Sequence, residues 1–439
     1  MSKKQLTKNV VFLGIVQVVN YLFPLITVPI ISRVLGPEKF GIVSYAETFI
    51  TYFTILIGYG FDFSATRRIA KDPTNTSLRN QVFSEVFSAQ VMLFAISAML
   101  FAACLFFVPP LAAEKEVAVF SFFICLATML TQNWLFQAMQ DLSKVAMMNF
   151  LGKFLSTVAI VFVIRTRSDY VWQPLILSSS AIVVSVISFI WAWKRYHLRF
   201  PFVPFSQVLR LLWSEKVVFA SMIVTSLYIT TNTVMLGWLT NETEVGYYSA
   251  ATRLANMAVA ITNIPLAQAL FPFIGKAFGE SKAKGIETVQ RITPIVLLLT
   301  GATTVLMLLF GTIALHLLYG SAFNSSIEAF RILAFIPFMN ALHNLFGIQV
   351  MLNLKKDKFY FLILSVGAVF GLLLNYVMIH FMGFVGTAWN YLIMEMYIVL
   401  ATYLALRRAG INPFDKEQFS PRTIKEHVWV LYDLFTKKI

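Results

Sequence analysis

The chain has 439 residues, of which 58% are hydrophobic and 13% charged, with a formal charge of +14. A soluble domain carries about 25% charged residues and no repeated 20-residue apolar runs, so water is not the solvent of this chain. A basic nucleic-acid binder is excluded too, because the Lys and Arg residues fall in short gaps between apolar runs and not on one polar surface.

The first apolar run, Val10 to Ile31, follows Met1, Ser2, Lys3 and Lys4. It is longer than the core of a signal peptide and lacks a small-residue cleavage site, so it is expected to be a retained span. Further runs cover 40–61, 82–108, 117–139, 145–164 and 171–193, the first extending over 10–34. Six more lie near 217–239, 246–273, 290–310, 330–353, 359–381 and 385–406. Backbone groups in lipid must bond within their own segment, and continuous apolar runs do not alternate as barrel strands do. The expected fold is therefore an all-α polytopic membrane protein of about twelve transmembrane helices.

With the N-terminus in the cytoplasm, the inner segments hold 27 of the 35 basic residues, so both termini are expected on that side. No outer loop is long enough for a folded domain, which leaves the membrane interior as the place of any chemistry. The division expected is 1–193 as an N-terminal six-helix lobe, 194–216 as a cytoplasmic linker, 217–406 as a C-terminal six-helix lobe and 407–439 as a cytoplasmic tail. Ile424, Val428, Leu431 and Phe435 recur at helical spacing in that tail beside Lys425, Lys437 and Lys438, as in an interfacial helix.

Folding the chain at its middle shows a short repeat. Phe40 to Glu47 (FGIVSYAE) aligns with Val245 to Thr252 (VGYYSAAT), with Gly41 over Gly246 and Ser44 over Ser249. An even number of spans per half gives both halves one orientation, so the lobes are expected to be related by a pseudo-two-fold axis along the membrane normal, as in transporters.

Pro29 to Gly41 (PIISRVLGPEKFG), Gly58 to Arg68 (GYGFDFSATRR), Trp134 to Lys153 (WLFQAMQDLSKVAMMNFLGK) and Asn232 to Leu254 (NTVMLGWLTNETEVGYYSAATRL) carry a resemblance. In their order and spacing they resemble the bacterial polysaccharide flippase family of the O-antigen type, in the superfamily that also holds multidrug and toxin extrusion exporters. The resemblance implies two lobes that open alternately to each side. It also implies an undecaprenyl-diphosphate-linked sugar unit as cargo, moved from the inner to the outer leaflet of the bacterial cytoplasmic membrane, with membrane lipids, a glycan polymerase and a chain-length regulator as partners. Neither cofactor nor catalysis is expected. Asn232 departs from the family pattern, where an acid often precedes the MLG motif.

A charged diphosphate and a polar glycan need a polar cavity with a lateral opening for the lipid tail. Gln17, Asn20, Asn133, Asn149, Asn256, Asn263, Asn340, Asn344 and Asn390 are candidates to line it, the alternative being helix-to-helix hydrogen bonds. Ionisable residues inside spans are rarer, since each costs about 2.5–3.5 kcal/mol on insertion scales. Lys153, entering from the inner side, and Arg253, about 12 Å inside its span at 1.5 Å per residue, are the candidate diphosphate ligands; a carboxylate partner or snorkelling to an interface is the alternative for each. Glu47 and Glu395 are candidates for ion coupling, and Asp62, Arg33, Arg67 and Arg68 at span ends for gating or topology. His316, His343 and His380 lack zinc-site spacing, and Cys104 and Cys125 offer neither a disulfide framework nor a metal cluster. Pro24, Pro29, Pro265, Pro272, Pro294 and Pro337 are expected to bend helices, and Gly367 with Gly371 to allow close helix packing.

Two other functions fit the same composition. A cation-coupled drug exporter of the same fold favours acids in its cavity, whereas Lys153 and Arg253 favour an anionic headgroup. A membrane glycan polymerase or ligase needs a large outer loop for its catalytic groups, and this chain has none.

Overall fold

A computed structural model describes residues 3–420, with side chains described from Phe23 onward. The described residues are helical and contain no strand. Nine segments among them are long and apolar enough to cross a bilayer. Large apolar side chains such as Phe106, Phe107, Leu309, Leu373 and Phe381 stand more than half exposed along these helices. Such a surface is tolerable only against hydrocarbon.

Two helices are far too long for one crossing. Lys3–Gly58 has 56 residues and Asp357–Arg408 has 52; at 1.5 Å per residue each would run to roughly 80 Å, against about 30 Å of hydrocarbon. Each breaks at a glycine with positive φ: Gly36 (φ 70°, just before Pro37) and Gly383 (φ 54°). These breaks fall in the gaps between the predicted runs 10–34 and 40–61, and between 359–381 and 385–406.

Two other predicted spans are interrupted within their length. The run 117–139 is three pieces, Lys115–Phe122, Ile124–Leu130 and Asn133–Ala138. The run 330–353 is Ser326–Leu333, Ile336–His343 and a π-helical turn, Asn344–Met351. Pro337 accordingly starts a helix and does not bend one: it sits in the first turn, where a missing N–H costs nothing. Pro24, Pro29, Pro265, Pro272 and Pro294 do stand inside helices.

The chain divides into two compact units, Met1–Gly246 and Tyr247–Ile439. In the first, loops expected on one side of the membrane meet one another. At one end Arg79 donates to the Tyr196 carbonyl (2.9 Å), Arg199 N–H to Asn80 (3.2 Å), and Glu85 receives Arg68, Gln81 and Gln207 at 2.7–2.8 Å. At the other, Tyr170 donates to Glu114 (2.8 Å) and Lys39 lies 3.9 Å from Glu114 and 4.8 Å from the Tyr170 ring centre. Helix Phe205–Leu239 joins this unit through a Tyr52–Thr231 hydrogen bond (2.5 Å) and a Tyr59–Phe219 stack (4.1 Å).

The glycines of the sequence repeat lie at a backbone crossing within the first unit. A Cβ on Gly41 would fall 1.7 Å from the Glu242 carbonyl oxygen, and one on Gly246 would fall 2.0 Å from that of Pro37. Because the obstacle is main chain, relief requires moving a helix. Gly41→Ala is expected to cost about 1–3 kcal/mol of stability. Gly58→Ala, with nothing within 4 Å of the new methyl, serves as the control. Thermal melting of both purified variants checks this, and equal midpoints would contradict the crossing.

In the second unit, Tyr247 packs against Phe323 (6.3 Å) and Phe384 (5.5 Å) at one end. At the other, Gln290 donates to the Asn412 carbonyl (2.8 Å) and Thr293 to that of Pro413 (3.2 Å), while Phe414 packs on Phe346 and Tyr403. Gly367 and Gly371 pack against Tyr397 and Met394, each Cβ position 3.0 Å from the facing side chain, so the close-packing expectation holds.

The amphipathic stripe from Ile424 to Phe435 lies outside the described residues. The segment Ile411 to Phe414 is docked, and this sets a boundary for truncation. Ending the chain after Phe414 is expected to leave membrane abundance and transport near wild type. Ending it after Gly410 removes buried Ile411, worth about 1.5–3 kcal/mol, together with half-buried Phe414, and is expected to lower folded protein several-fold. Quantitative immunoblotting of membranes checks this; equal loss from both truncations would place essential contacts beyond Phe414.

Candidate functional site

The interruption of the run 117–139 opens a cavity of about 600 Å³ within the first unit. Thr128, Thr131 and Asn133 flank the break and face it. Helix Leu142–Val163 contributes Asn149, Lys153 and Ser156, and the part of the first helical element after Gly36 contributes Glu47, Thr51 and Thr54. Helix Trp172–Arg195 contributes Ser178, Ser185 and Ser188, which its 3.6-residue turn places on one face.

Lys153 is the twelfth residue of a 22-residue helix, roughly 16 Å from its start at 1.5 Å per residue. Its half-buried ammonium therefore belongs to the middle of the span. The hydroxyls around it satisfy themselves locally: Ser178 donates to the Pro174 carbonyl (2.7 Å), Ser185 to that of Ile182 (2.9 Å), Thr128 to that of Ile124 (3.0 Å) and Thr51 to that of Glu47 (3.1 Å). Each keeps its oxygen lone pairs available, so the wall offers acceptors, amides and one cation to a polyhydroxy ligand. Volume and lining together suit a polar headgroup; small-molecule sites run to about 300–1,000 Å³.

Four of the residues singled out in the sequence thus meet at one place: Lys153, Glu47, Asn133 and Asn149. Asp62 lines a neighbouring cavity of about 270 Å³ with Gln90 and Asn133. Arg68 is held by Glu85, whereas Arg33 and Arg67 are exposed on their helices. The side chains of Gln17 and Asn20 lie outside the described residues.

The remaining candidates belong to the second unit. Arg253 is half-buried within electrostatic range of the buried Tyr319 phenol, and Asn256 is exposed. Asn263 donates to the Pro337 carbonyl (2.8 Å) and to Asn340 (3.2 Å), which is the helix-bonding alternative. The hollow beside Asn263 and Asn344 is about 10 Å³, room for one water. Glu395 is buried against His343. The serines of helix Trp172–Arg195 were not singled out in the sequence, although their spacing at 178, 185 and 188 was there to be read.

Apolar helices broken at glycines, with a cavity that gathers polar side chains at an interrupted span, define a multi-pass membrane protein of transporter architecture. The comparisons with known proteins agree. A family model described as polysaccharide biosynthesis protein matches residues 6–278, and the chain belongs to that family. A protein named "Putative O-antigen transporter" from Escherichia coli (strain K12) is 27% identical over 408 residues, covering 92% of this chain and 98% of the relative. A protein of the same name from Shigella dysenteriae is 23% identical, covering 91% and 100%. Among solved structures, the lipid II flippase MurJ in an inward closed conformation superposes with a TM-score of 0.73 at 12% identity, covering 99% of this chain and 93% of that one. An inward-facing multidrug resistance MATE family transporter of the MOP superfamily gives 0.66 at 15% identity, covering 91% and 98%. At these identities the two structures speak for the fold.

Proposed function

We propose that the protein is a flippase that moves a lipid-linked oligosaccharide, attached through an anionic diphosphate, between leaflets of a bacterial cytoplasmic membrane. The observation that carries this is the first-unit cavity, where a mid-span lysine stands among hydroxyl and amide groups. The ammonium attracts phosphate, the hydroxyls and amides exchange hydrogen bonds with sugar, and the polyprenyl tail stays in lipid. The names of the two relatives support a glycan as cargo.

The remaining assignments belong to the same proposal. Each break, at Gly36 and at Gly383, divides two spans; with Phe205–Leu239 added, twelve spans result, six to each lobe. The lobes are related by a pseudo-two-fold along the membrane normal, and both termini face the cytoplasm. Undecaprenyl diphosphate carries the O-antigen-type unit outward, and Arg253 receives the diphosphate after Lys153.

Glu47 in the same cavity supports a second reading, a cation-coupled exporter of cationic drugs. Proteoliposomes separate the two. A lipid-diphosphate glycan in one leaflet, detected by a membrane-impermeant lectin, is expected to appear in the other only when the protein is present, while a cationic amphiphile is not moved. Transport of the amphiphile and not of the glycan would overturn the proposal.

A further inference from the structure

The second interrupted span leads to a different group of side chains. His343 ends helix Ile336–His343, just before the π-helical turn, and π-turns are frequent at functional sites. Its Nδ1 lies 3.1 Å from Glu395 Oε2, and its Nε2 lies 2.6 Å from the Tyr360 hydroxyl. Glu395 is fully buried, and its Oε1 has no hydrogen-bond partner among the described residues. A buried carboxylate with a bare oxygen is costly unless a positive charge or a proton comes to it.

We infer that His343, Glu395 and Tyr360 form a proton-binding site in the second unit, and that proton movement through it is coupled to transport of the glycan. This rests on the flippase proposal. With one proton on the imidazole, Nδ1–H donates to Glu395 and the Tyr360 hydroxyl donates to Nε2. Uptake of a proton at Nε2 makes both ring nitrogens donors, and the imidazolium balances the carboxylate. The Tyr360 oxygen must then accept, and its own hydrogen turns to another acceptor. Release at Nε2 reverses every step, so only N–H and O–H bonds change.

A route from that change to the backbone is present. The Tyr360 ring fills the space a side chain at Gly347 would occupy, where a Cβ would come within 2.4 Å of it. Gly347 lies inside the π-turn that follows His343. Any shift of the Tyr360 ring as its hydroxyl exchanges partners is therefore passed directly to the wide turn.

The groups facing the pair favour a proton over a metal ion. Besides His343, Tyr360 and Tyr391 stand within electrostatic range of Glu395, and Tyr248 within that of Tyr391. The buried residues of Lys282–Tyr319 and of Ser326–Leu333 include no charged side chain. Among the described residues, no three His, Cys, Asp or Glu side chains gather as a cation cage needs.

The test uses full-length protein in vesicles holding an entrapped pH-sensitive dye, with the membrane potential clamped at zero by valinomycin and equal potassium. A tenfold proton gradient, higher outside, is expected to speed glycan export several-fold, and the dye should report proton entry only when the glycan is present. For each variant the measured quantity is the ratio of rates with and without the gradient. That ratio is expected to fall from several-fold to about 1 in Glu395→Gln and His343→Gln, and to lie between in Tyr360→Phe, which keeps the ring against Gly347. Membrane abundance is measured in parallel. If the first two variants fail to accumulate, the wild-type dye signal and Tyr360→Phe decide. A wild-type ratio of one in vesicles that do export, or wild-type ratios in the variants, overturns the inference. Failure to move glycan under any gradient overturns the flippase proposal and this coupling with it.

Discussion

Lys153→Ala is expected to lower glycan transport by about 10- to 100-fold, the span covered by one hydrogen bond to a charged group at roughly 1.5–3 kcal/mol. Lys153→Arg should retain most of the activity, because an ammonium used as a point charge can be replaced by another cation. Membrane abundance should hold in both, since the side chain faces a cavity and not a packed core. Glu47→Gln supplies the contrast. If the cargo is anionic, removing the one carboxylate of that cavity should be tolerated. If the cargo is a cationic drug, Glu47→Gln should abolish transport and Lys153→Ala should not. Transport rates of the three variants, each divided by membrane abundance, distinguish these patterns.

The second large effect is expected at Arg253. Its guanidinium can make two parallel hydrogen bonds to phosphate oxygens, which lysine cannot reproduce. Arg253→Ala should therefore lose transport by about 100-fold or more, and Arg253→Lys should lose much of it while keeping the charge. The contrast with Lys153 is the informative part, because conservative exchange is tolerated at one site and not at the other. If Arg253 serves only to hold its own unit together near Tyr319, membrane abundance falls in step with transport. Normal abundance with full transport in Arg253→Ala would rule out a binding role.

What the sequence revealed and what it hid have physical reasons. The breaks at Gly36 and Gly383 were legible because each separates two apolar runs, the first among charged residues and a Gly-Pro pair. Lys153, Glu47, Asn133 and Asn149 were legible because a polar side chain inside an apolar run has to be explained by something. The interruptions near Phe123 and Phe335 were not, since apolar residues carry the chain through both and hydropathy does not register a lost helical turn, whereas the break that opens the cavity falls at the polar stretch Thr131, Gln132 and Asn133. The serines of the cavity wall also escaped notice, because a hydroxyl that bonds the carbonyl one turn back passes readily for an apolar position. Glu395 stands out as an acid inside a span, but its pairing with His343 has no local sign, because 52 residues separate the two.

An anionic headgroup makes the central claim measurable as charge movement. Each negative charge leaving an inside-negative compartment gains about 2.3 kcal/mol per 100 mV. The direct measurement is glycan export from proteoliposomes, at equal pH on both sides, under potassium diffusion potentials of either sign. Export should be faster with the interior negative and slower with it positive, and the difference should vanish when the potential is collapsed. Export at one rate under both signs would contradict the account of an anionic lipid-linked headgroup carried through the protein.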